Sequence, residues 1–421
     1  MIPDGMRDVL PPEAAGLRAL EGALRRQFSL YGYGEVRTPA LESADTFEAS
    51  GDDKLAAGYR LSVGEGVVLM PPSDLTVAAV RLAVERLDEE PLPLRLWYLR
   101  SALRWYAPRG GQDGEVAQAG AELIGLSGPA ADAECVMLVC DALNACGLRD
   151  YKVALGTAAF HGAVVEALEL APEQRLALLD ALAHHDYPLI ETILGHADAG
   201  DDVRRAIEKS LALNGGREAL VKARRLAAGA GPAMEAAVEH LETVADLVDE
   251  AGFGDRVVFD FGLFKALEYY TGLVFEVYAP GVGFPVASGG RYDGLAAAFG
   301  RDLPAAGFAI TLDRLLVALE EQETPPDGEE RPLSFAGGLE EPERAAELRQ
   351  AGIAVAALPA DWQPLPAPSL RKDNGQFVLQ RGDGGKPSGG GAERGKSASQ
   401  RGEDAEIRGS WRDMLRALGV S

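Results

Sequence analysis

Two polar side chains, Gln118 and Glu122, interrupt an otherwise small and apolar segment, residues 117–124. We interpret this segment as part of a β-strand. Successive side chains of a strand point to opposite faces, so Gln118 and Glu122 should share one face. The residues alone leave two alternatives open: both side chains face water, or both face a ligand.

Other polar residues lie where predicted strands end or begin. Asp74 and Thr76 stand at a turn from strand to helix, and Glu268, Tyr269 and Tyr270 lead into another strand. A carboxylate, an amide and a tyrosine that converge on one face of a sheet are the groups that a small zwitterionic ligand needs. The sequence therefore predicts a candidate pocket for such a ligand.

The sequence gives less support for a metal site, a phosphate-binding loop or a catalytic nucleophile. No carboxylate or cysteine stands at a metal-ligand spacing such as HExxH from His184, His185 or His196, so we interpret these histidines as ordinary residues of a helical region. The glycine-rich segments 281–283 and 288–290 match neither GxGxxG nor GxxxxGK[ST], and we expect them to serve backbone packing. No local motif indicates a Ser-His-Asp or Cys-His arrangement. We expect no metal and no cofactor.

The predicted elements mix strands with helices, which is typical of an α+β domain. Apolar spacing predicts helices over residues 12–32, about 74–87, 130–147 and 312–322, and a helical stretch over about 160–250 that holds all five histidines. Strands are predicted over residues 67–70, 94–102, 121–126, 257–261, 273–278 and 307–311, with an extended segment over 35–39.

The composition predicts a division of the chain near Pro325-Pro326-Asp327-Gly328. We expect a main domain over residues 1–325, a linker over 326–333 and a small α/β tail over 334–421. The tail is predicted to hold helices at 342–350 and 407–418 and strands at 353–358 and 377–380. Its Gly-, Ser- and Lys/Arg-rich segment, 382–404, is predicted to be flexible.

The bulk properties restrict the partners and the compartment. The chain of 421 residues carries 41 basic and 65 acidic side chains, a net charge of −24, which repels nucleic acid phosphates. Cys135, Cys140 and Cys146 form no CxxC motif and indicate a reducing compartment. The first residues lack the layout of a signal peptide, and no apolar run is long enough to span a bilayer. We expect a cytoplasmic protein.

Several motifs, in order along residues 1 to about 320, resemble those of the histidyl-tRNA synthetase family. The matching segments are Gly5-Met6-Arg7-Asp8, Tyr31-Gly32-Tyr33, Leu267-Glu268-Tyr269-Tyr270-Thr271-Gly272, Gly289-Gly290-Arg291-Tyr292-Asp293-Gly294-Leu295 and Leu312-Asp313-Arg314-Leu315. The resemblance implies the class II synthetase fold, an antiparallel sheet flanked by helices. It also implies a helical insertion and a C-terminal α/β remnant of an anticodon-binding domain.

The resemblance also implies roles for individual residues. It places Asp74 and Thr76 at the amino group of histidine, Gln118 and Glu122 at the amino group and the imidazole, and Tyr270 at the imidazole. The histidine-like pocket as a whole comprises Asp74, Thr76, Arg104, Gln118, Glu122, Lys265, Tyr269 and Tyr270. Arg104 and Arg314 match the arginines that bind the phosphates of ATP in a working synthetase.

The departures from the family concern the ATP side of the site. Lys265 stands where the family has the arginine that bridges the carboxylate and the α-phosphate, and a lysine cannot reproduce a bidentate fork. Tyr106 replaces the glutamate of the second motif, Gln112 replaces an arginine, and the Arg-Pro of the RPEGT motif is lost around Pro71-Pro72-Ser73. Adenylation depends on positioning and neutralising phosphates, so we expect none.

This pattern resembles the regulatory subunits of ATP phosphoribosyltransferase, paralogues of the synthetase that act in the first step of histidine biosynthesis. The resemblance implies no catalytic residue, a short catalytic subunit as partner in a hetero-octamer, self-association through a class II-like dimer, and histidine as a candidate ligand for feedback. We expect neither a membrane nor tRNA as a partner. Two alternatives stay open: a divergent, active histidyl-tRNA synthetase, and a synthetase-like sensor that binds an amino acid or RNA.

Overall fold

A computed structural model describes residues 2–64, 66–104, 114–168, 170–197, 200–263, 270–324, 326, 333–361, 368–374, 376–380 and 406–420. The chain forms two compact units, Met1–Gly328 and Glu329–Ser421. Several residues singled out above lie outside the described residues, namely Tyr106, Gln112, Lys265, Glu268 and Tyr269. The segment 382–404 and most of the predicted linker also lie outside them. The predicted domain boundaries remain predictions.

The first unit contains a large, mostly antiparallel sheet. Its strands and those of a small second sheet are β1 (Gly34–Glu35), β2 (Glu42–Ser43), β3 (Leu61–Ser62), β4 (Val68–Met70), β5 (Leu94–Leu103), β6 (Glu115–Ile124), β7 (Lys152–Thr157), β8 (Asn214–Gly215), β9 (Val257–Asp260), β10 (Leu273–Tyr278), β11 (Ala287–Arg291) and β12 (Ala305–Thr311). The large sheet has the order β1-β5-β6-β12-β11-β10-β7-β9-β8, and the small sheet has the order β2-β4-β3. Within the large sheet, β1–β5 and β7–β9 pair in parallel and the other strands pair antiparallel.

The helices of this unit are α1 (Pro11–Leu30), α2 (Ala44–Glu48), α3 (Asp53–Ala56), α4 (Leu75–Arg86), α5 (Pro129–Ala145), α6 (Ala158–Ala167), α7 (Pro172–Ala183), α8 (Tyr187–His196), α9 (Asp201–Ser210), α10 (Arg217–Ala230), α11 (Pro232–Glu250) and α12 (Leu312–Glu321), with 3-10 turns at Gly254–Arg256 and Ala297–Phe299. Helices α6–α11 lie between β7 and β9, and they confirm the helical stretch predicted over about 160–250. We refer to α6–α11 as the helical insertion. No helix within the described ranges combines the length and the apolar character needed to cross a membrane.

One face of the large sheet, the back face, is covered by α1 and α5. Proline at the first position suits the start of α1, and apolar residues at a spacing of four, Leu20, Leu24 and Phe28, form its buried stripe. The Phe28 ring lies 5.7 Å from Trp97 of β5 and 6.0 Å from Phe308 of β12, measured between ring centroids. This aromatic contact ties α1 to the strands that carry the candidate site.

The opposite, front face is covered at one end by α4. Val77 and Val80 of α4 pack with Leu94 and Leu96 of β5 in a second hydrophobic cluster. The helix begins directly after Asp74 and ends at Arg86, in agreement with the predicted helix. The N-terminal end of α4 therefore lies against the front face, which is where the candidate site residues are found.

The second unit is built around a five-stranded mixed sheet. It comprises β13 (Leu333–Ala336), α13 (Pro342–Gln350), β14 (Val355–Leu358), β15 (Ser369–Asp373), β16 (Gln376–Gln380), β17 (Glu406–Gly409) and α14 (Trp411–Ala417), with the strand order β14-β13-β15-β16-β17. Phe335, Phe377 and Trp411 form its aromatic core, with ring centroids 5.1–6.3 Å apart.

Two sequence-based predictions were wrong in detail. The predicted helix 407–418 is a strand followed by a helix, because residues 406–409 pair with β16 before Ser410 caps α14. The predicted strands also omit β11, in which the glycine-rich segment 288–290 pairs with β10 and β12. Strand β7, which lies between β10 and β9 in the large sheet, was likewise not predicted.

The packing of α1 predicts a large loss of stability on truncation of Phe28. Phe28→Ala should lower the free energy of unfolding by about 3–5 kcal/mol, because the side chain is fully buried and its removal leaves a cavity. Leu30→Ala is a matched control on the same helix, since Leu30 is 80% exposed, and should change stability by less than about 0.5 kcal/mol. Urea denaturation followed by fluorescence measures both. Equal effects would contradict the assigned face of α1.

Candidate functional site

The first part of the site is the turn into α4. Asp74 caps the helix, and its Oδ1 accepts a hydrogen bond of 3.1 Å from the backbone N–H of Val77. Arg104, directly after β5, donates from Nε to the carbonyl oxygen of Ser73 at 3.1 Å. The turn is thus held from the sheet, with the Asp74 carboxylate buried beside it.

Glu122 of β6 is the centre of the site. Its side chain is 0% exposed, so the alternative in which Glu122 faces water is wrong. The Tyr98 hydroxyl of β5 donates to Oε1 at 2.9 Å, and the Tyr292 hydroxyl donates to Oε2. The Thr76 hydroxyl lies 3.3 Å from the Tyr98 hydroxyl. A chain of hydrogen-bonding groups therefore runs from the start of α4 through Tyr98 to Glu122 and Tyr292.

Glycines opposite the polar residues make this arrangement possible. Tyr98 is paired with Gly120 across β5 and β6, and a Cβ at position 120 would collide with the Tyr98 ring. Glu122 is paired with Gly307 across β6 and β12, and a Cβ at position 307 would collide with Oε2 of Glu122. Because neither glycine has a side chain, the Tyr98 ring can lie along the sheet and its hydroxyl can reach the Glu122 carboxyl.

Tyr270 lies next to Tyr292, and Gln118 lies on the same strand as Glu122. The Tyr270 ring lies 6.5 Å from the Tyr292 ring in an edge-on contact. Gln118, on the same strand and face as Glu122, is 6% exposed and is paired with Arg100 on one side and Thr311 on the other. Water-facing side chains are therefore excluded for both Gln118 and Glu122.

The site holds two carboxyl groups, those of Asp74 and Glu122, out of contact with water. Burial raises the pKa of Glu122 to about 8, and the charge of Asp74 acts in the same direction. Hydrogen bonds from Tyr292, Thr76 and Tyr98 act against this rise in the pKa. A buried carboxyl whose ionised form is disfavoured beside a second carboxyl is complementary to a positively charged ligand group.

Arg314 lies in a different concavity. It lines a cavity of about 520 Å³ that contains none of the pocket residues named above. Its Nη1 donates to the carbonyl oxygen of Pro285 at 2.9 Å, and its guanidinium stacks on Phe284 at 5.1 Å. In this structure, the arginine that the resemblance assigns to the ATP phosphates is engaged with the β10–β11 hairpin.

Of the predicted pocket residues, the structure brings Asp74, Thr76, Glu122 and Tyr270 together, with Gln118 on the same face and Arg104 behind the turn. Lys265 and Tyr269 lie outside the described residues. Sequence reasoning missed Tyr98, and it treated Tyr292 only as part of a motif. Tyr98 could have been identified from its spacing, because it follows Leu94 and Leu96 at every second position of one strand and therefore points to the same buried face.

The five histidines lie in or beside the helices of the insertion. His161 is buried next to Ser210 at 3.2 Å, and burial lowers the pKa of His161 to about 4. His185 contacts the carbonyl oxygen of Gly262 at 3.1 Å, and His240 contacts Asp132 at 2.6 Å. Over the described part of the chain, no group of three or more His, Cys, Asp or Glu side chains has the arrangement of a metal site.

Comparisons with known proteins agree with the fold. A profile of the family described as histidyl-tRNA synthetase matches residues 5–315. A solved structure from Nostoc sp. PCC 7120, described as histidyl-tRNA synthetase, has the same fold, with a TM-score of 0.74 at 18% identity, and covers 100% of this chain and 98% of that chain. The fold and the site thus define a class II synthetase-like protein.

Similar sequences identify the family within the class II synthetase-like proteins. The chain is 40% identical over 363 residues to the ATP phosphoribosyltransferase regulatory subunit of Moorella thermoacetica, which is 84% of this chain and 91% of that protein. It is 38% identical to the same subunit of Symbiobacterium thermophilum, covering 76% and 80% of the two chains. A Bacillus halodurans structure described as ATP phosphoribosyltransferase regulatory subunit/histidyl-tRNA synthetase matches with a TM-score of 0.73 at 28% identity, over 85% of this chain and 92% of that one. The chain belongs to the family of ATP phosphoribosyltransferase regulatory subunits.

The raised pKa of Glu122 predicts a pH-dependent stability. Between the ordinary value of 4.5 and about 8, the folded state holds a proton that the unfolded state lacks, so the free energy of unfolding falls as the pH rises through this window. Glu122→Gln removes the titrating group. Relative to this variant, the free energy of unfolding of the wild type should fall by a few kcal/mol across the window, at about 1.4 kcal/mol for each unit of pKa difference.

Urea denaturation at several values between pH 5 and 8 measures the effect. The control is Glu250→Gln, at an exposed glutamate at the end of α11, which should keep the wild-type pH profile. A wild-type stability that does not fall relative to Glu122→Gln over this range would contradict the assignment of a protonated Glu122.

Proposed function

We propose that this chain is the non-catalytic regulatory subunit of ATP phosphoribosyltransferase in the first step of L-histidine biosynthesis. It works in the cytoplasm, is required for the activity of a short catalytic subunit, and senses histidine for feedback inhibition. The observation that carries the proposal is an asymmetry of the site. The amino-acid side is built around Glu122, whereas groups that handle ATP in the synthetase family are replaced at Lys265, Tyr106 and Gln112.

The charge of the pocket supports histidine as its ligand. Asp74 is assigned to the ammonium group, and Glu122 with Tyr270 is assigned to the two imidazole nitrogens. An ionised carboxylate has about four lone-pair sites, so a Glu122 that a cationic ligand has ionised can accept from that ligand while it keeps its bonds to Tyr98 and Tyr292. The second carboxyl, at Asp74, favours a ligand that carries positive charge.

The partner follows from the regulatory role. The relatives are named as regulatory subunits, and a regulatory subunit acts on a catalytic chain. We propose a hetero-octamer of four regulatory and four catalytic chains, with the regulatory chains self-associated through a class II-like dimer. The net charge of −24 argues against tRNA as a ligand, because a phosphate backbone requires a cationic surface.

Reconstitution tests the regulatory role. Mixing the purified chain with a short-form catalytic subunit should give a stable complex on size-exclusion chromatography and a higher rate of ATP phosphoribosylation than the catalytic subunit alone. The chain by itself should show no phosphoribosyl transfer. An unrelated acidic protein at the same concentration is the control for non-specific activation. If the mixture shows no complex and no increase in rate, the proposal is wrong.

Calorimetry with L-histidine tests the pocket in the isolated chain and in the complex. Asp74→Asn should weaken binding by at least about tenfold, because asparagine is as good a helix cap as aspartate but carries no charge for the ammonium group. Asp186→Asn is the matched control, since Asp186 caps α8 in the same way, with Oδ1 accepting from Leu189 N–H at 3.1 Å. An unchanged dissociation constant in Asp74→Asn would show that Asp74 does not contact the ligand.

A further inference from the structure

Three elements of the first unit meet at one buried carboxylate. Asp132 of α5 is 0% exposed; its Oδ1 accepts from Nε of Arg291 at 2.8 Å and lies 2.7 Å from Nη2 of the same guanidinium in an ion pair. Its other oxygen, Oδ2, lies 2.6 Å from Nε2 of His240, on α11. The Asp132 carboxylate therefore joins the helical insertion to the end of strand β11.

Burial makes these contacts obligatory. A carboxylate with no access to water is strongly disfavoured unless it is paired and hydrogen-bonded, and Arg291, at 5% exposure, is equally dependent on its partners. Nη1 of Arg291 also binds Asp293 at 2.8 Å. Loss of one partner must therefore change the position or the pairing of the others.

Arg291 stands directly before Tyr292, the tyrosine that donates to Glu122. Its backbone carbonyl accepts from the N–H of Thr271 at 2.8 Å, and Thr271 follows Tyr270. The Thr271 hydroxyl in turn accepts from the N–H of Asp293 at 3.1 Å. Both tyrosines of the candidate pocket are thus attached to the chain segment that the Arg291 side chain fixes.

We propose that His240, Asp132 and Arg291 act as positioning residues that couple the helical insertion to the ligand pocket. His240 fixes Asp132, Asp132 fixes Arg291, and Arg291 holds Tyr292 and Tyr270 at Glu122. A displacement of α11 is then transmitted to the pocket, and occupancy of the pocket is transmitted to α11, because a coupling between two sites is reciprocal.

Hydrogen exchange of the full chain, followed by mass spectrometry, tests the coupling without any ligand. In His240→Ala, peptides that cover β11 and Tyr292 should exchange at least about threefold faster than in the wild type. Glu242→Ala is the control on the same helix, because Glu242 pairs with Arg224 of α10 and does not contact Asp132. Because the Glu242–Arg224 pair lies at the surface and leaves the His240–Asp132 contact intact, β11 and Tyr292 should keep their wild-type exchange in this control.

A second pair of variants separates positioning from simple loss of packing. His240→Gln keeps an N–H donor for Asp132 and should restore the wild-type exchange of β11. Arg291→Lys keeps the charge but loses the fork, and should accelerate exchange of β11 in the same way as His240→Ala. Unchanged β11 exchange in both His240→Ala and Arg291→Lys, a uniform increase over the whole unit, or a failure of His240→Gln to rescue would overturn the proposal.

One further measurement rests on the proposed function, namely that this pocket binds histidine. The dissociation constant for L-histidine should rise about threefold to tenfold in His240→Ala and stay unchanged in Glu242→Ala. A wild-type chain that does not bind histidine defeats the proposed function, whereas the exchange experiment still decides the coupling. Wild-type affinity in His240→Ala, with faster exchange of β11, would limit the coupling to the strand and overturn its link to the ligand.

Discussion

The carboxyl group of Glu122 has no contact with water, and a carboxyl in that position must be neutral, hydrogen-bonded or paired with a cation. The surrounding structure meets this requirement from three sides. Tyr98 reaches it along the sheet, Tyr292 reaches it from the end of β11, and Gly307 leaves the space that its Oε2 occupies. The front face of the sheet is therefore organised around one acidic group.

This constraint connects the core with the function. The back face of the sheet is anchored by aromatic contacts of Phe28, so the strands that carry Tyr98 and Glu122 are fixed relative to one another. A rigid frame with two buried carboxyls, at Asp74 and Glu122, is suited to hold a small cationic group in one orientation. A synthetase needs a second, phosphate-binding half, and Arg314 in this structure is engaged with Pro285 and Phe284.

The sequence predicted most of the helices and the longer strands of the site, and it placed Gln118 and Glu122 on one face, because strand periodicity is a local property. It did not identify Tyr98, since the value of that residue depends on its register against Gly120 in a neighbouring strand. Residues 407, 411 and 415 have a helical spacing, yet residues 406–409 form a strand, because pairing with β16 satisfies their backbone. Gly289 and Gly290 concealed β11, because residues without side chains hide the alternating pattern of a strand.

We propose that this class II fold has kept the amino-acid half of its site and lost the half that activates ATP. The most direct test is histidine-dependent exchange of pyrophosphate into ATP by the purified chain, with an active histidyl-tRNA synthetase as the positive control. The account predicts no exchange above a blank without protein, at any histidine concentration. Robust exchange that depends on histidine would contradict it and would identify the chain as a working synthetase.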